Sequence, residues 1–411
     1  MTTTYPDLQE IRNCILASPP EEGVGLLTGE SGKGLYALCE VLANTECKEA
    51  FVEYLENVIN YCLRRLSEDE IAAPLSLAEG LPGTCILLNL LKKEGLLDKA
   101  TTASLYELEN LLLKSVNEDK NIYSQLGYDY FYGLTGLGTY FLTYSSHSKR
   151  KSIIKKICSQ LIRAAISDSN GLRWKDDFHF GTQTYNLGIA HGILSVIVFF
   201  SKVIQHSLGD KDLVLILHRT VQWFLKQEND NNHLFRFSCT VGKNGEGRNS
   251  NNRLAWCYGE LTIVICLIHA YKATKEEAYF QKALSIALTT VEKRGDEFVT
   301  RTKNGLYEGG LCHGIAGISY AYFVISRYFN NQVFFDCHQY WEGLLNERSP
   351  HSFVNNAAGF YKITLVPESE PEIQPKLSLI DGAAGGGLYI LTVAHPEIES
   401  IWAPIFSMDI L

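Results

Sequence analysis

A short turn ending in glycine, followed at once by an almost wholly apolar run, recurs seven times in the 411 residues. No other feature constrains the fold so much, because a repeat that cannot bury its apolar face alone must stack on its neighbours. The copies are "TGESGKGLYALCEVL" from Thr28, "EGLPGTCILLNLL" from Glu79, "YGLTGLGTYFLTY" from Tyr132 and "AHGILSVIVFF" from Ala190. They continue with "CYGELTIVICLIHAY" from Cys257, "HGIAGISYAYFVI" from His313 and "DGAAGGGLYILTV" from Asp381. Their leading glycines, Gly29, Gly80, Gly133, Gly192, Gly259, Gly314 and Gly382, are spaced by 51, 53, 59, 67, 55 and 68 residues. That spacing suits two helices and their loops. Between the turns lie segments such as "EAFVEYLENVINYCLRRLSEDE" and "LVLILHRTVQWFLKQEND", with apolar residues at helical three-to-four spacing and charges opposite.

Apolar inner helices alternating with amphipathic outer ones predict an all-α protein, a closed α,α-toroid of seven helix pairs. Residues 1–411 then form one domain of fourteen helices. Closure accounts for the lack of a polar capping repeat at either end, which an open solenoid needs. Two stretches break the period and read as loop insertions, about 228–252 and 346–377. The alternation in "HLFRFSCTV" suggests a short β-hairpin in the first.

Composition removes several functional classes. A formal net charge of -9 argues against nucleic acid as partner, since that binding rests on a basic surface. No apolar run approaches the ~18 residues of a membrane span. The start, "MTTTYPDLQEIRN", does not read as an export signal, so a cytoplasmic location is expected. Eleven cysteines are scattered singly, which argues against a disulfide framework and for small core residues.

If the seven turns share one end of the ring, the chemistry-bearing residues near them converge. These are Asp129 before the third turn, His191 in the fourth, Arg253, Trp256, Cys257 and Tyr258 in the fifth, and Cys312 with His313 in the sixth. Glu30, Glu79 and Asp381 in the first, second and seventh are less distinctive. Cys257, Cys312 and His313 form a Cys₂His set that suits zinc and leaves one tetrahedral position open; inert core thiols are the competing reading. His191 suits a general acid or base, Asp129 a cap or a partner for His191, and Arg253 a stabiliser of a developing oxyanion. Trp256 and Tyr258 read as packing or pocket walls. A second Cys-His pair, Cys337–His338, lies in an outer-helix pattern without a glycine turn and reads as structural. "LTGESGKGL" lacks the first glycine and the Ser/Thr of a phosphate-binding loop, so it is read only as a turn.

At "RLAWCYG", "LCHGIAG" and "LGIAHG" the chain resembles the lanthionine-forming cyclases, the LanC family, over about residues 25–395. The resemblance implies an α,α-toroid with one Zn2+ ion on Cys257, Cys312 and His313, and catalytic roles for Asp129, His191 and Arg253. It also implies a reaction: substrate cysteine thiolates add to dehydroalanine or dehydrobutyrine in a dehydrated precursor peptide, giving thioether rings. The dehydratase and the peptide exporter would be further partners, and a complex with them would bring the chain to the inner membrane face. Two departures from the family pattern stand out: Ser195 and "ELT" at 260–262 replace expected glycine, which predicts looser helix packing there. A LanC-like protein that binds zinc and glutathione without cyclising is the main alternative. A prenyltransferase-type toroid is the other, but it would have six units and an Asp, Cys, His ligand set.

Overall fold

The computed structural model describes residues 6–20, 23–68, 74–118, 122–176, 184–229, 233–242, 247–248, 253–300, 307–347, 360–364 and 372–411. Each of the seven predicted glycines is the N-cap of an inner helix. These helices span Glu30–Leu42, Leu81–Lys93, Leu134–Thr139, Ile193–Gln205, Glu260–Thr274, Ile315–Phe329 and Ala383–Ala394. The third continues as one π-helical turn, Tyr140–Tyr144. Their residues are buried on nearly every side, as the unbroken apolar runs require.

Outer helices follow the first six inner ones, at Lys48–Glu68, Lys99–Glu118, Arg150–Ala164, Lys211–Leu225, Glu277–Thr289 and Gln332–Glu347. The first shows the logic: Phe51, Tyr54, Leu55, Val58, Ile59 and Cys62 are buried, a stripe at three-to-four spacing, while the charges face out. The seventh outer place is filled from the other end of the chain. Helix Pro6–Leu16 packs on Ala383–Ala394, and its Arg12 grips Glu40 of the first inner helix through two hydrogen bonds of 2.9 and 3.1 Å. The fourteenth helix therefore precedes the first turn instead of following the seventh.

Backbone hydrogen bonds prove the closure. Two residues before the N-cap glycine, or three in the fourth turn, an amide of one turn donates to a carbonyl of the next: Leu27 to Ala78, Ala78 to Phe131, Phe131 to Ala190. The cycle runs on from Ile189 to Cys257, Cys257 to Cys312, Cys312 to Ile380, and returns from Ile380 to Leu27, all at 3.0 to 3.3 Å. All seven turns thus meet at one end of the ring.

The second recurring glycine has a steric reason. A Cβ on Gly32 would lie 2.7 Å from Leu379 Cβ and one on Gly83 2.8 Å from Leu26 Cβ, in each case a side chain of the preceding turn. At Ser195 and Thr262 hydroxyls replace the glycine and donate to turn carbonyls, Gly192 and Ala255, at 2.8 and 3.0 Å. Both helices stay regular and buried there.

The expected hairpin exists: Thr240–Gly242 pairs antiparallel with Gly247–Arg248, and Thr184–Asn186 adds a third strand that the pattern did not suggest. The second insertion also carries a hairpin, Tyr361–Thr364 against Glu372–Pro375, where only a loop was expected. A further hairpin, Ile166–Asp168 with Gly171–Arg173, sits between the third and fourth units. Residues 230–232, 243–246, 249–252, 348–359 and 365–371 of the two insertions lie outside the described residues. The C-terminal segment enters the middle of the ring, where Trp256 Nε1 donates to Phe406 O at 2.7 Å and Lys202 Nζ to Asp409 at 2.7 Å. Among the described residues no helix is long and apolar enough to cross a membrane.

Candidate metal centre

Aligning the seven turns on their glycines gives each functional side chain an address. Cys257 and Cys312 occupy the place two residues before the glycine, on adjacent turns, and their neighbouring backbones are hydrogen-bonded. His191, Tyr258, His313 and Asp381 occupy the place one residue before it. Gly259 has φ +107°, and a Cβ there would lie 2.3 Å from Arg253 O, so the fifth turn needs glycine to present Cys257 as it does.

Cys257 behaves unlike the other buried cysteines. Burial pushes the thiols of Cys62, Cys158 and Cys239 up to about 12 and those of Cys39, Cys85 and Cys266 higher still. Cys257 moves the other way, down to about 6. The main cause is a hydrogen bond from the Cys312 thiol, helped by the positive fields of His313, Arg253 and His191, against burial. Cys312 moves up correspondingly, through the same bond and its own burial. A thiolate–thiol pair in a positive surrounding has the sulfur chemistry that a soft metal ion can use.

His313 Nδ1 lies 2.8 Å from Glu308 Oε2, an ion pair whose angles fall outside good hydrogen-bond alignment. Burial opposes charge on this imidazole, but the Glu308 carboxylate prevails and raises its pKa. With Nδ1 turned to Glu308, Nε2 faces the centre, as in histidines that bind metal with a carboxylate behind them. Its neighbour there is Asp381 Oδ1, at 3.9 Å. One ligand atom each of Cys312, His313 and Asp381 lies within 4.8 Å of the others, so these three could hold a metal ion; Cys257 is outside that group and adjoins it through its amide, which donates to Cys312 O at 3.3 Å. Asp381, indistinct in the sequence, is thus at the centre of the site.

The catalytic candidates come from the adjoining turns. Asp129 Oδ1 accepts from the amides of Tyr132 and Gly133 at 2.6 and 3.0 Å, while Oδ2 meets His191 Nδ1 at 2.9 Å. Asp129 is therefore the histidine partner; it braces the amides of its own turn but does not cap the helix, whose N-cap is Gly133. The His191 ring is stacked on Tyr132 at 6.0 Å and meets Phe131 edge-on at 5.0 Å. Arg253 donates to Thr300 Oγ1 at 2.6 Å, and its charge acts on Cys257, Cys312 and His313. Tyr258 accepts from Asn186 at 2.9 Å at the rim. Trp256 is fully buried, stacked on Phe131 at 5.8 Å, and anchors the C-terminal segment.

Two motifs read from the sequence as structural lie in packed surroundings. His338 bonds to Ser319 at 3.0 Å and Cys337 accepts from Arg294 at 3.4 Å, both on an outer helix. Lys33 is buried against Glu30 at 2.8 Å. Sequence reading missed Glu308 and Thr300. For Glu308 a signal existed: it stands six residues before its glycine, as Arg253 does in the turn before.

Comparison with known proteins agrees with this ring. The structure of nisin cyclase superposes with a TM-score of 0.76 at 18% identity, covering 99% of both chains, which shows a shared fold. A family 76 glycoside hydrolase from a bovine Bacteroides thetaiotaomicron strain matches at a TM-score of 0.48 and 12% identity, over 96% of this chain and 78% of that one. Cellobiose 2-epimerase from Bacillus thermoamylovorans B4167 matches at 0.46 and 10%, over 84% and 100%. At that level their names say nothing of this chain's chemistry. The description "Lanthionine synthetase C-like protein" matches residues 34–407, and the chain belongs to that family.

Proposed function

We propose that the chain is a zinc-dependent cyclase that closes thioether rings in a dehydrated, cysteine-containing precursor peptide. The observation that supports this reading is the cluster of Cys312, His313 and Asp381 at one end of the ring, with Cys257 on the adjoining turn hydrogen-bonded to Cys312 and the Asp129–His191 pair on neighbouring turns. The donors fit zinc: two soft sulfurs and an imidazole backed by a carboxylate. A zinc ion held by Cys257, Cys312 and His313 would supply the Lewis acidity that keeps a substrate thiol ionised at neutral pH.

The remaining work falls to side chains of this protein. As the substrate sulfur bonds to the β-carbon of dehydroalanine or dehydrobutyrine, the alkene electron pair moves to the adjacent carbonyl as an enolate. Arg253 stabilises that negative oxygen. His191, fixed by Asp129 through Nδ1, exchanges protons through Nε2 and serves the transfer that ends at the α-carbon. Phe131 and Tyr132 pack against His191 and fix the plane of its ring. No atom is gained or lost overall. In this reading a dehydratase prepares the peptide and an exporter removes it, and a complex with them would bring the chain to the inner membrane face.

The test is to incubate the protein and zinc with such a peptide and follow free thiol by alkylation and mass by spectrometry. Loss of thiol at constant mass is expected. Unchanged thiol, with zinc bound, would favour a binding role such as that of LanC-like proteins associated with glutathione.

A further inference from the structure

We propose that Asp381 is a fourth protein donor of the metal centre, filling in the resting protein the position that a substrate thiol must take. This rests on the zinc reading above and goes beyond it, because that reading leaves the fourth position open.

The ring's register brings Asp381 there. Asp381 stands one residue before the glycine of turn seven, the place His313 holds in turn six, and the two turns are tied together. The amides of Leu311 and Cys312 both donate to Ile380 O at 3.0 Å. The approach is close enough to exclude a side chain between them: a Cβ on Gly310 would lie 2.7 Å from Asp381 Cα and 2.6 Å from its carbonyl carbon. That glycine sits two residues before Cys312, so "GLCHG" leaves room for the neighbouring turn as well as bending its own.

The side-chain geometry agrees. The ligand atoms of Cys312, His313 and Asp381 lie within 4.8 Å of one another. The 3.9 Å between His313 Nε2 and Asp381 Oδ1 is too long for a hydrogen bond. Two donors at ~2.0–2.1 Å from one tetrahedral zinc stand about 3.3 Å apart, so a small inward movement of either side chain completes the pair. Glu308 already occupies Nδ1 of the same ring, so Asp381 is not needed to orient it.

Charge gives the arrangement a purpose. Two thiolates and one carboxylate on a divalent ion carry the same total charge as three thiolates. An anionic oxygen in the fourth place therefore holds the resting site at the charge it has once a substrate thiolate sits there. Arg253, whose field reaches Cys257, Cys312 and His313, faces one electrostatic environment in both states. A harder oxygen donor is also the ligand that a soft sulfur displaces most readily.

The full chain is stripped of metal and reloaded with Co2+ or Zn2+, as wild type and as Asp381→Asn, Asp381→Cys and Cys312→Ala. Circular dichroism confirms that each is folded. Zinc affinity is read by competition with a chromogenic chelator, and cobalt coordination from its visible bands and its near-ultraviolet thiolate charge-transfer band. Asp381→Asn is expected to weaken zinc about tenfold or more and to shift the visible bands. Asp381→Cys is expected to raise the charge-transfer absorbance by about half, as two thiolates become three. Equal affinity and superimposable spectra in wild type and both Asp381 variants would overturn the assignment of Asp381 and leave the Cys₂His reading standing. A wild type that binds neither metal, or a Cys312→Ala chain that binds as well as wild type, would overturn both.

Discussion

Asp129 uses one oxygen to hold the amides of its own turn and the other to hold His191, so the two roles can be separated by substitution. Asp129→Asn keeps an oxygen for Tyr132 and Gly133 but withdraws the carboxylate from the imidazole. The turn is expected to survive and the cyclisation rate to fall. His191→Ala, which removes the proton-exchanging group, should lower the rate by about 10²–10⁴. Steady-state thiol consumption measures both, and an Asp129→Asn rate equal to wild type would show that the pair is only structural. Cys312 is argued to be a ligand, not a packing residue, because its thiol serves Cys257 and faces His313 and Asp381. Cys312→Ala should therefore lose stoichiometric zinc, by metal analysis, while circular dichroism keeps its helical signal.

Among the elements, the ring's seam and its centre carry the sharpest expectations. Arg12 and Glu40 are a buried pair, with side-chain exposures of 9% and 0%. Arg12→Ala strands the Glu40 carboxylate and should cost about 3–5 kcal/mol in chemical denaturation, whereas replacing both by apolar residues should recover most of that. In the fifth inner helix His269 is pushed down to about 4, chiefly by burial, with Lys202 and Lys272 adding to the effect and Asp409 opposing it. The unfolded chain takes up that proton near 6.5, so the stabilising contribution is complete above 6.5 and is lost as pH falls toward 4. The loss amounts to about 3 kcal/mol and should be reduced in His269→Gln. The inner and outer helices were legible because burial on all sides and burial on one face leave different patterns, 3.6-periodic or unbroken. The hairpins at Ile166–Arg173 and Tyr361–Pro375 were not, because strands of three or four residues carry too few alternations to stand out.

For the whole molecule, counting the glycine turns was enough to place Asp129, His191, Arg253, Cys257, Cys312 and His313 at one end of a ring. The hydrogen-bonded cycle of turns shows why: equal register makes residues at like positions into neighbours. What the count could not show was where the ring closes. Periodicity assigns a seventh outer helix after the seventh inner one, but the apolar face of Pro6–Leu16 takes that place and the C-terminal segment turns into the centre. Nor could it single out Asp381, since a lone carboxylate beside a turn has the same sequence signature whether it faces solvent or a metal. The account depends most on one ion shared by turns five and six. Anomalous diffraction at the zinc edge from crystals grown with the metal measures this directly. One peak about 2.3 Å from the sulfurs of both Cys257 and Cys312 and about 2.0 Å from His313 Nε2 is expected; a peak elsewhere, or none, would contradict it.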